Sequence, residues 1–286
     1  MIGVRCLRSD HVPNAKLSIL VRVKNERLAI AEFWERLSSQ TVFPCCETIF
    51  LDSGSTDGTL EYLIGVGGSL YQIDALAFNF GSSCNLMMQL SSAPIVVFLS
   101  GHALLTGKED LEKIYLALRG QRGAALYMRQ VPNIVLGANH YEEIFLARRY
   151  PPSTRAIVRL GKPGGFSNAA SALTRDAWER TPFPDMHGSE DFEWANRHLA
   201  GGGSLFYLPS VRVMHSHAES PDGVFRRVQL NVRAKNRRGS IASSTYYFLG
   251  VFVRMVLHGA STPEAWQYAA AHARAYLPEQ QTPMEV

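Results

Sequence analysis

The chain has 286 residues, of which 46% are hydrophobic and 19% charged, and its formal net charge at pH 7 is +4. This balance excludes a disordered protein, and the length suits one large α/β domain or two small ones. The net positive charge is too small to indicate a nucleic-acid partner, although six basic residues lie within positions 226–238.

The four cysteines, Cys6, Cys45, Cys46 and Cys84, form no CxxC pair, and adjacent cysteines are poorly placed for a disulfide. Residues 1–16 lack the apolar core of a signal peptide, and no segment reaches the roughly 20 apolar residues of a membrane span. We therefore expect reduced thiols and a cytoplasmic protein.

Apolar runs alternate with helical patterns in the first half of the chain. Strands are predicted at residues 17–23, 48–51, 71–75 and 95–99, with helices after residue 25, after Thr56 or Asp57, and at residues 85–91. This order predicts an α/β fold with a mostly parallel, Rossmann-like central sheet. Ligands bind such sheets beyond the carboxyl ends of the strands, where Asp52 and Ser100-Gly101-His102 fall.

The alternation stops near residue 125. Residues 131–163 read as irregular, and helices are predicted to end at residue 180 and to cover residues 191–199. Strands are predicted at residues 204–207 and 211–215. From residue 226 the pattern is helical, first basic and then apolar. We expect a first domain at residues 1–225, divided near residue 125 into donor and acceptor halves, and a helical extension at residues 226–286.

Three groups of residues have the chemistry of a site. Asp52 could accept hydrogen bonds from a base or ribose, or could simply cap a turn. Ser189-Glu190-Asp191 starts a predicted helix, where a carboxylate either caps the helix or takes a proton from a hydroxyl. His215 and His217 are two residues apart on an extended segment, a spacing that suits a metal or diphosphate site or a solvent-exposed strand end.

These pieces, in this order, resemble a family 2 glycosyltransferase of the GT-A fold, including rhamnosyltransferase-like bacterial enzymes of surface polysaccharide synthesis. The similar stretches run from about residue 17 to residue 227. They are LSILVRVKNE, IFLDSGSTDGT, FNFGSSCN, IVVFLSGHALL, GFSNAASALTRDAWERTPF, GSEDFEWA and HSH.

The resemblance implies inverting transfer of a sugar, in one displacement, from a nucleoside diphosphate of the UDP or dTDP type to a glycan or lipid-linked acceptor. By similarity, Asp191 is the catalytic base. The implied donor-binding residues are Val21, Val23, Glu26, Asp52, Ser100, Gly101, Arg226 and Arg227. The predicted sugar and acceptor pocket consists of Gly165, Ser167, Asn168, Glu190 and Trp194.

The family's metal-binding DxD motif is replaced by Ser100-Gly101-His102. By similarity, His102, with His215 and His217, would hold a divalent cation, Mn²⁺ or Mg²⁺, or the histidines and arginines would replace the metal. Two other functions stay open. A catalytically reduced sugar-nucleotide or glycan-binding protein is favoured by the loss of DxD. A nucleotidyltransferase is disfavoured because VRVKNER contains no glycine.

The basic and then apolar C-terminal segment suits a helix that lies on an anionic membrane at its inner face. A helix packed on the domain, or used for a homodimer, explains the same pattern.

Overall fold

A computed structural model describes residues 3–234 and 240–278. The strands are β1 (Val4–Arg8), β2 (Leu17–Val23), β3 (Cys46–Asp52), β4 (Ser69–Ile73), β5 (Ile95–Ser100), β6 (Leu104–Leu105), β7 (Ala124–Val131), β8 (Val158–Leu160), β9 (Ala170–Thr174) and β10 (Ser204–Met214). The helices are α1 (Ile30–Ser38), α2 (Thr59–Ile64), α3 (Phe80–Leu90), α4 (Asp110–Leu118), α5 (His140–Arg149), α6 (Arg175–Arg180), α7 (Glu190–Ala200), α8 (Pro221–Ala234), α9 (Ile241–Leu257) and α10 (Thr262–Arg274). Two single 3-10 turns cover Phe43–Cys45 and Ala75–Ala77.

The chain divides into two compact units. The first comprises Met1–Val131 and Arg149–His215, and the second comprises Pro132–Arg148 and Ser216–Val286. The predicted division into residues 1–225 and an extension at residues 226–286 stays a prediction.

The first unit is built on one sheet with the strand order β1-β4-β3-β2-β5-β9-β7-β10-β6, and β8 pairs with β10. Strands β4, β3, β2 and β5 are mutually parallel, and β9 runs antiparallel between β5 and β7. Every residue of β3 is buried, as are all residues of β2 except Arg22. Strands buried on both faces are typical of a parallel sheet covered by helices.

The predictions for the parallel strands are confirmed: β2 has the predicted bounds, and β3, β4 and β5 lie within two residues of theirs. Helix α3 begins five residues before the predicted position. Its N-cap is Asn79, whose side chain accepts hydrogen bonds from the N–H groups of Gly81 and Ser82.

The prediction of an irregular segment at residues 131–163 is wrong, since it contains α5 and β8. Asn139 and Glu142 bond each other's backbone N–H at the start of α5, a capping box that the sequence N-x-x-E carries. The strand β9 was not among the predicted strands. The two strands predicted at residues 204–215 are one strand, β10, with a register shift between Leu208 and Arg212.

The second unit has a core formed by helices α5, α8, α9 and α10. Its buried side chains are Tyr141, Val224, Val228, Val232, Met255, Ala260, Ala265, Tyr268 and Ala275. Three of the six basic residues within positions 226–238, those at 235, 237 and 238, lie outside the described residues. Among the helices of the described segments, none has the length and apolar character needed to cross a bilayer.

Candidate active site

The loop after β3 is organised by Asp52. Its buried carboxylate accepts hydrogen bonds from the backbone N–H of Gly54 (3.0 Å) and Ser55 (3.2 Å) and from Nε2 of Gln72 (3.1 Å). Gly54 has φ +83°, a conformation that glycine adopts without strain. Asp52 therefore forms the Asx turn that was the structural alternative for this residue. Its contact with a base or ribose stays a prediction.

This loop is tied to the segment that follows β2. The side chain of Asn25 accepts a hydrogen bond from the Thr56 N–H (2.8 Å), and its own N–H donates to Ser55 Oγ (2.9 Å). The N–H of Arg27 donates to Asp57 Oδ2 (3.0 Å). Asn25 has φ +56°, in the left-handed region that Asn tolerates better than most residues. The loops that follow β2 and β3 are thus joined in the folded chain, and nucleoside binding there stays a prediction.

Two histidines come together where the DxD motif was expected. The rings of His102 and His215 stack with their centroids 4.8 Å apart. His102 Nδ1 lies 2.8 Å from Glu26 Oε1, and His215 Nδ1 lies 2.8 Å from Gln130 Oε1. Because Gln130 Oε1 only accepts, the His215 bond requires a proton on Nδ1, and a carboxylate partner favours the same at His102. Each ring then directs Nε2 as its basic nitrogen.

The turn after β5 is closely packed against β2. The Ser100 N–H donates to the Ala169 carbonyl at 3.2 Å. A Cβ on Gly101 would lie 2.9 Å from Val23 Cγ1 and 3.0 Å from Glu26 Cγ, so a larger residue would push this turn away. Val21 and Val23 are themselves buried, and their predicted place in a donor pocket stays a prediction.

The Ser-Glu-Asp sequence starts α7. Asp191 is half-buried, and its Oδ1 accepts a hydrogen bond from the Phe192 N–H (2.7 Å). Glu190 is buried and lies 3.5 Å from Nη1 of Arg22 on β2. Burial, followed by the adjacent charge of Asp191, raises the pKa of Glu190 to about 7, and Arg22 opposes that rise. Neighbouring carboxylates with different environments are typical of acid–base sites.

Most residues of the predicted sugar and acceptor pocket are buried in the first unit. A Cβ on Gly165 would come 2.7 Å from the Tyr150 ring, which explains the glycine by close packing. Ser167 Oγ accepts a long hydrogen bond from the Ala169 N–H (3.4 Å), and Asn168 is buried. Ser167 alone of these three is half-exposed.

Trp194 is fully buried. Its ring stacks on Phe166 and Phe183 with centroid distances of 5.1 and 5.2 Å, and its Nε1 donates to the Thr181 carbonyl. A side chain with no exposed surface offers none to a sugar, so the structure gives Trp194 a packing role in place of the expected pocket role.

The remaining predicted residues belong to the second unit. Arg226 is exposed on α8, whereas Arg227 makes a bidentate ion pair with Glu219 at 2.7–2.9 Å. The backbone N–H of His217 donates to Glu142 Oε1 (2.7 Å). Both histidines of HSH follow the end of β10 at Met214, so strand alternation does not fix their directions. Diphosphate binding by these arginines and metal binding by His217 stay predictions.

The segment Arg22–Glu26 connects the three groups. Arg22 contacts Glu190, Asn25 holds the loop after β3, and Glu26 holds His102. Sequence analysis missed Arg22 and Gln130. The signal for both was similar: a long polar side chain within a mostly apolar strand.

Glycosyl transferase family 2 is the family whose sequence profile matches this chain, over residues 18–181. The chain belongs to glycosyl transferase family 2. The match covers the parallel half of the sheet and ends just before the Ser-Glu-Asp turn.

A relative in sequence and two solved structures are also similar to this chain. The O-antigen chain rhamnosyltransferase WbaN of Salmonella anatum is 28% identical over 205 residues, which are 68% of this chain and 64% of that protein. The alignment thus spans less than two thirds of the relative. Mannosyltransferase PcManGT from Pyrobaculum calidifontis, solved with GDP-Man and Mn²⁺, has a TM-score of 0.58 at 17% identity, covering 91% of this chain and 69% of its own.

S. aureus TarS residues 1–349, solved with UDP, has a TM-score of 0.54 at 13% identity and covers 90% of both chains. The predicted α/β GT-A fold with a mostly parallel central sheet, and the resemblance to a bacterial family 2 glycosyltransferase, are therefore confirmed.

Proposed function

We propose that this protein is an inverting glycosyltransferase of the hexosyltransferase type that transfers a sugar from a nucleoside-diphosphate sugar to an acceptor hydroxyl in bacterial surface polysaccharide or glycolipid synthesis. The observation that supports it best is the segment Arg22–Glu26. This segment contacts the loop after β3, the histidine pair and the Ser-Glu-Asp turn. A single donor bound across the end of β2 would meet all three.

The proposed reaction has the following steps. The acceptor oxygen attacks the anomeric carbon, the bond from that carbon to the diphosphate oxygen breaks, and the hydroxyl proton passes to Asp191. A carboxylate in this role acts from the face of the sugar opposite the leaving group, as in inverting glycosidases. The nucleoside diphosphate leaves with the bonding electrons and with increased negative charge, which needs a positive partner.

Two imidazoles of this chain fit a divalent cation. The ligand nitrogens of His102 and His215 lie within 4.8 Å of each other, and each ring is oriented by an oxygen on its Nδ1, as in histidine metal sites generally. His217 remains the predicted third ligand. A bound cation would neutralise charge on the leaving diphosphate. Imidazole ligands favour ions such as Zn²⁺ or Co²⁺ over Mn²⁺ and Mg²⁺.

Donor and acceptor are proposed at the level of class. A UDP or dTDP sugar is the proposed donor, and rhamnose is the first sugar to test, since the Salmonella anatum relative is named a rhamnosyltransferase. The proposed acceptor is a glycan or a lipid-linked glycan.

Contact with the inner membrane face is proposed for α9. Tyr246, Leu249, Val253 and Val256 form an exposed apolar stripe at helical spacing, and Arg254 is the only charged residue in α9. A helix of this kind lies in the headgroup region of an anionic bilayer. A homodimer through the same stripe is the alternative.

A catalytically reduced, sugar-nucleotide-binding protein is the second candidate function. The observation in its favour is the replacement of the DxD acids by Ser100-Gly101-His102. The Ser-Glu-Asp turn argues for catalysis.

Calorimetric binding of UDP, dTDP and GDP, each with Mn²⁺, with Zn²⁺ and with EDTA, tests the donor site. Transfer from the matching sugar nucleotide tests the reaction. We expect one nucleotide to bind, and we expect Asp191→Asn to abolish transfer while retaining nucleotide affinity. Transfer at the wild-type rate by Asp191→Asn would refute the assigned base. Binding without transfer by the wild type favours the second candidate.

A further inference from the structure

The charge of Arg22 is unusual for its position. It lies in β2, between the buried residues Val21 and Val23, and its side chain is 16% exposed. In register it neighbours Leu51 on β3 and Ser100 on β5. A charged side chain in a strand covered on both faces has a large desolvation cost, and it needs partners that recover the cost.

The groups that contact Arg22 belong to two helices, α7 and α3. The guanidinium lies 3.5 Å from Glu190 Oε1 on α7 and 3.5 Å from the Phe80 carbonyl at the start of α3. It also lies over the Phe80 ring, 5.1 Å from the centroid. Arg22 thus holds the first turn of α7 against the end of the central strand.

Glu190 is held on its other side as well. Nδ2 of Asn168 donates to Glu190 Oε1 at 3.4 Å, and Asn168 Oδ1 accepts from Ser171 Oγ at 3.1 Å. The side chain of Glu190 is 5% exposed. A carboxylate this buried is not available to an acceptor sugar, which revises the pocket role predicted for Glu190.

The backbone ahead of Asp191 needs this support. Ser189 has φ +59° and ψ +20°, a left-handed conformation that is strained for a residue with a side chain. Such conformations cost on the order of 1–3 kcal/mol and persist where the surroundings hold them. The bonds of Glu190, the next residue, hold this turn from outside the helix.

The groups around the turn keep Arg22 positively charged. Burial acts to lower the pKa of Arg22, but the charges of Cys84, Glu190 and Asp191 raise it overall. Burial also raises the pKa of Cys84, to about 12, so this thiol carries charge beside Arg22 only at high pH. The carboxyl group in contact with the guanidinium is that of Glu190.

We propose that Arg22 and Glu190 are positioning residues of the transfer reaction: their buried contact fixes the strained turn that presents Asp191. This inference rests on the proposed glycosyltransferase function. It differs from that function in assigning a role to two residues that touch neither donor nor acceptor.

The test uses the full chain and compares Arg22→Met, Arg22→Lys and Glu190→Gln with the wild type. For Arg22→Met we expect kcat to fall on the order of 100-fold, the cost of a misplaced catalytic group. Calorimetric nucleotide affinity should stay within about threefold, which is below 1 kcal/mol. The donor KM should stay unchanged, because neither residue is assigned a contact with the donor. Arg22→Lys, which keeps a positive charge facing Glu190, should recover part of the lost kcat.

Melting temperature is measured for each variant, and Glu190→Gln, which is nearly isosteric, guards against a result caused by unfolding. We expect Glu190→Gln to lower kcat with an unchanged donor KM. An unchanged kcat in Arg22→Met, or a kcat in Arg22→Lys as low as in Arg22→Met, would overturn the inference while leaving the transferase function intact. Absence of transfer in the wild type would overturn both.

Discussion

His102 and His215 stack nearly parallel, with an angle of 13° between the rings, and each is oriented through Nδ1 by a different strand or loop. Glu26 precedes α1, and Gln130 is the penultimate residue of β7. Each ring offers one ligand nitrogen, and these nitrogens lie within 4.8 Å of one another. The proposed cation would therefore be bound through imidazole nitrogen.

Gln130→Leu should weaken metal binding because His215 loses the acceptor that fixes its tautomer. Removing such a partner typically lowers metal affinity about 10- to 100-fold. Titration with Co²⁺, followed by its visible absorption and by calorimetry, measures the effect without an activity assay. Gln72→Leu, which removes a side chain bonded to Asp52 and not to a histidine, is the matched control. Equal Co²⁺ affinity in wild type and Gln130→Leu would contradict the histidine site.

Asn25→Ala should weaken nucleotide binding. The change removes the hydrogen bond to the Thr56 N–H and places alanine at a positive φ. We expect the affinity for the nucleotide to fall about tenfold, equivalent to ~1.4 kcal/mol, because the ligand must then order the loop. Calorimetry measures it. Asn14→Ala, at φ +53° on an exposed loop, controls for backbone strain alone. Equal losses of nucleotide affinity in Asn25→Ala and Asn14→Ala would refute a role for the Asn25 side chain in ordering the loop.

Glu190 should make stability depend on pH. Its pKa rises from the ordinary 4.5 to about 7 in the folded chain, mainly through burial. Between these values the folded state keeps a proton that the unfolded state releases, so the free energy of unfolding declines as pH rises. Glu190→Gln should remove this decline in urea titrations at about pH 5 and about pH 8. Glu35→Gln, at an exposed position, should keep it. If the free energy of unfolding depended equally on pH in the wild type, Glu190→Gln and Glu35→Gln, Glu190 would be excluded as the source of the decline.

Trp194→Ala should destabilise the first unit. The ring fills a fully buried site between Phe166 and Phe183, and loss of such a side chain costs about 3–5 kcal/mol. Denaturant unfolding measures the change, and Trp194→Phe should cost less because most of the volume is kept. A variant with normal stability but weaker acceptor binding would restore the sugar-pocket role first predicted for Trp194.

Leu249→Glu with Val253→Glu should reduce binding to anionic vesicles. Both side chains are exposed in the apolar stripe of α9, and two new negative charges oppose both burial and the lipid headgroups. Co-sedimentation with vesicles containing phosphatidylglycerol measures binding. Leu116→Glu adds a charge to an exposed leucine on α4 and serves as the control. No vesicle binding by the wild type, with a dimer in light scattering that the double variant loses, would select the homodimer.

The parallel half of the sheet was predictable because its strands carry local signals. Mostly apolar runs such as residues 17–23 are typical of strands in a sheet covered on both faces, and the ends of β3 and β5 place Asp52 and Ser100 at one edge of the sheet. The capping box of α5 and the strand β9 carry equally local but weaker patterns, and both were missed.

Family membership is a property that the sequence by itself determined, because it depends on residue types in a fixed order. Only the tertiary structure decided which polar groups are buried and which meet. It placed Trp194 in the core, joined Arg22 to Glu190 and brought His102 onto His215. The physical reason is that burial and ion pairing depend on contacts between residues distant in the chain, which no local pattern encodes.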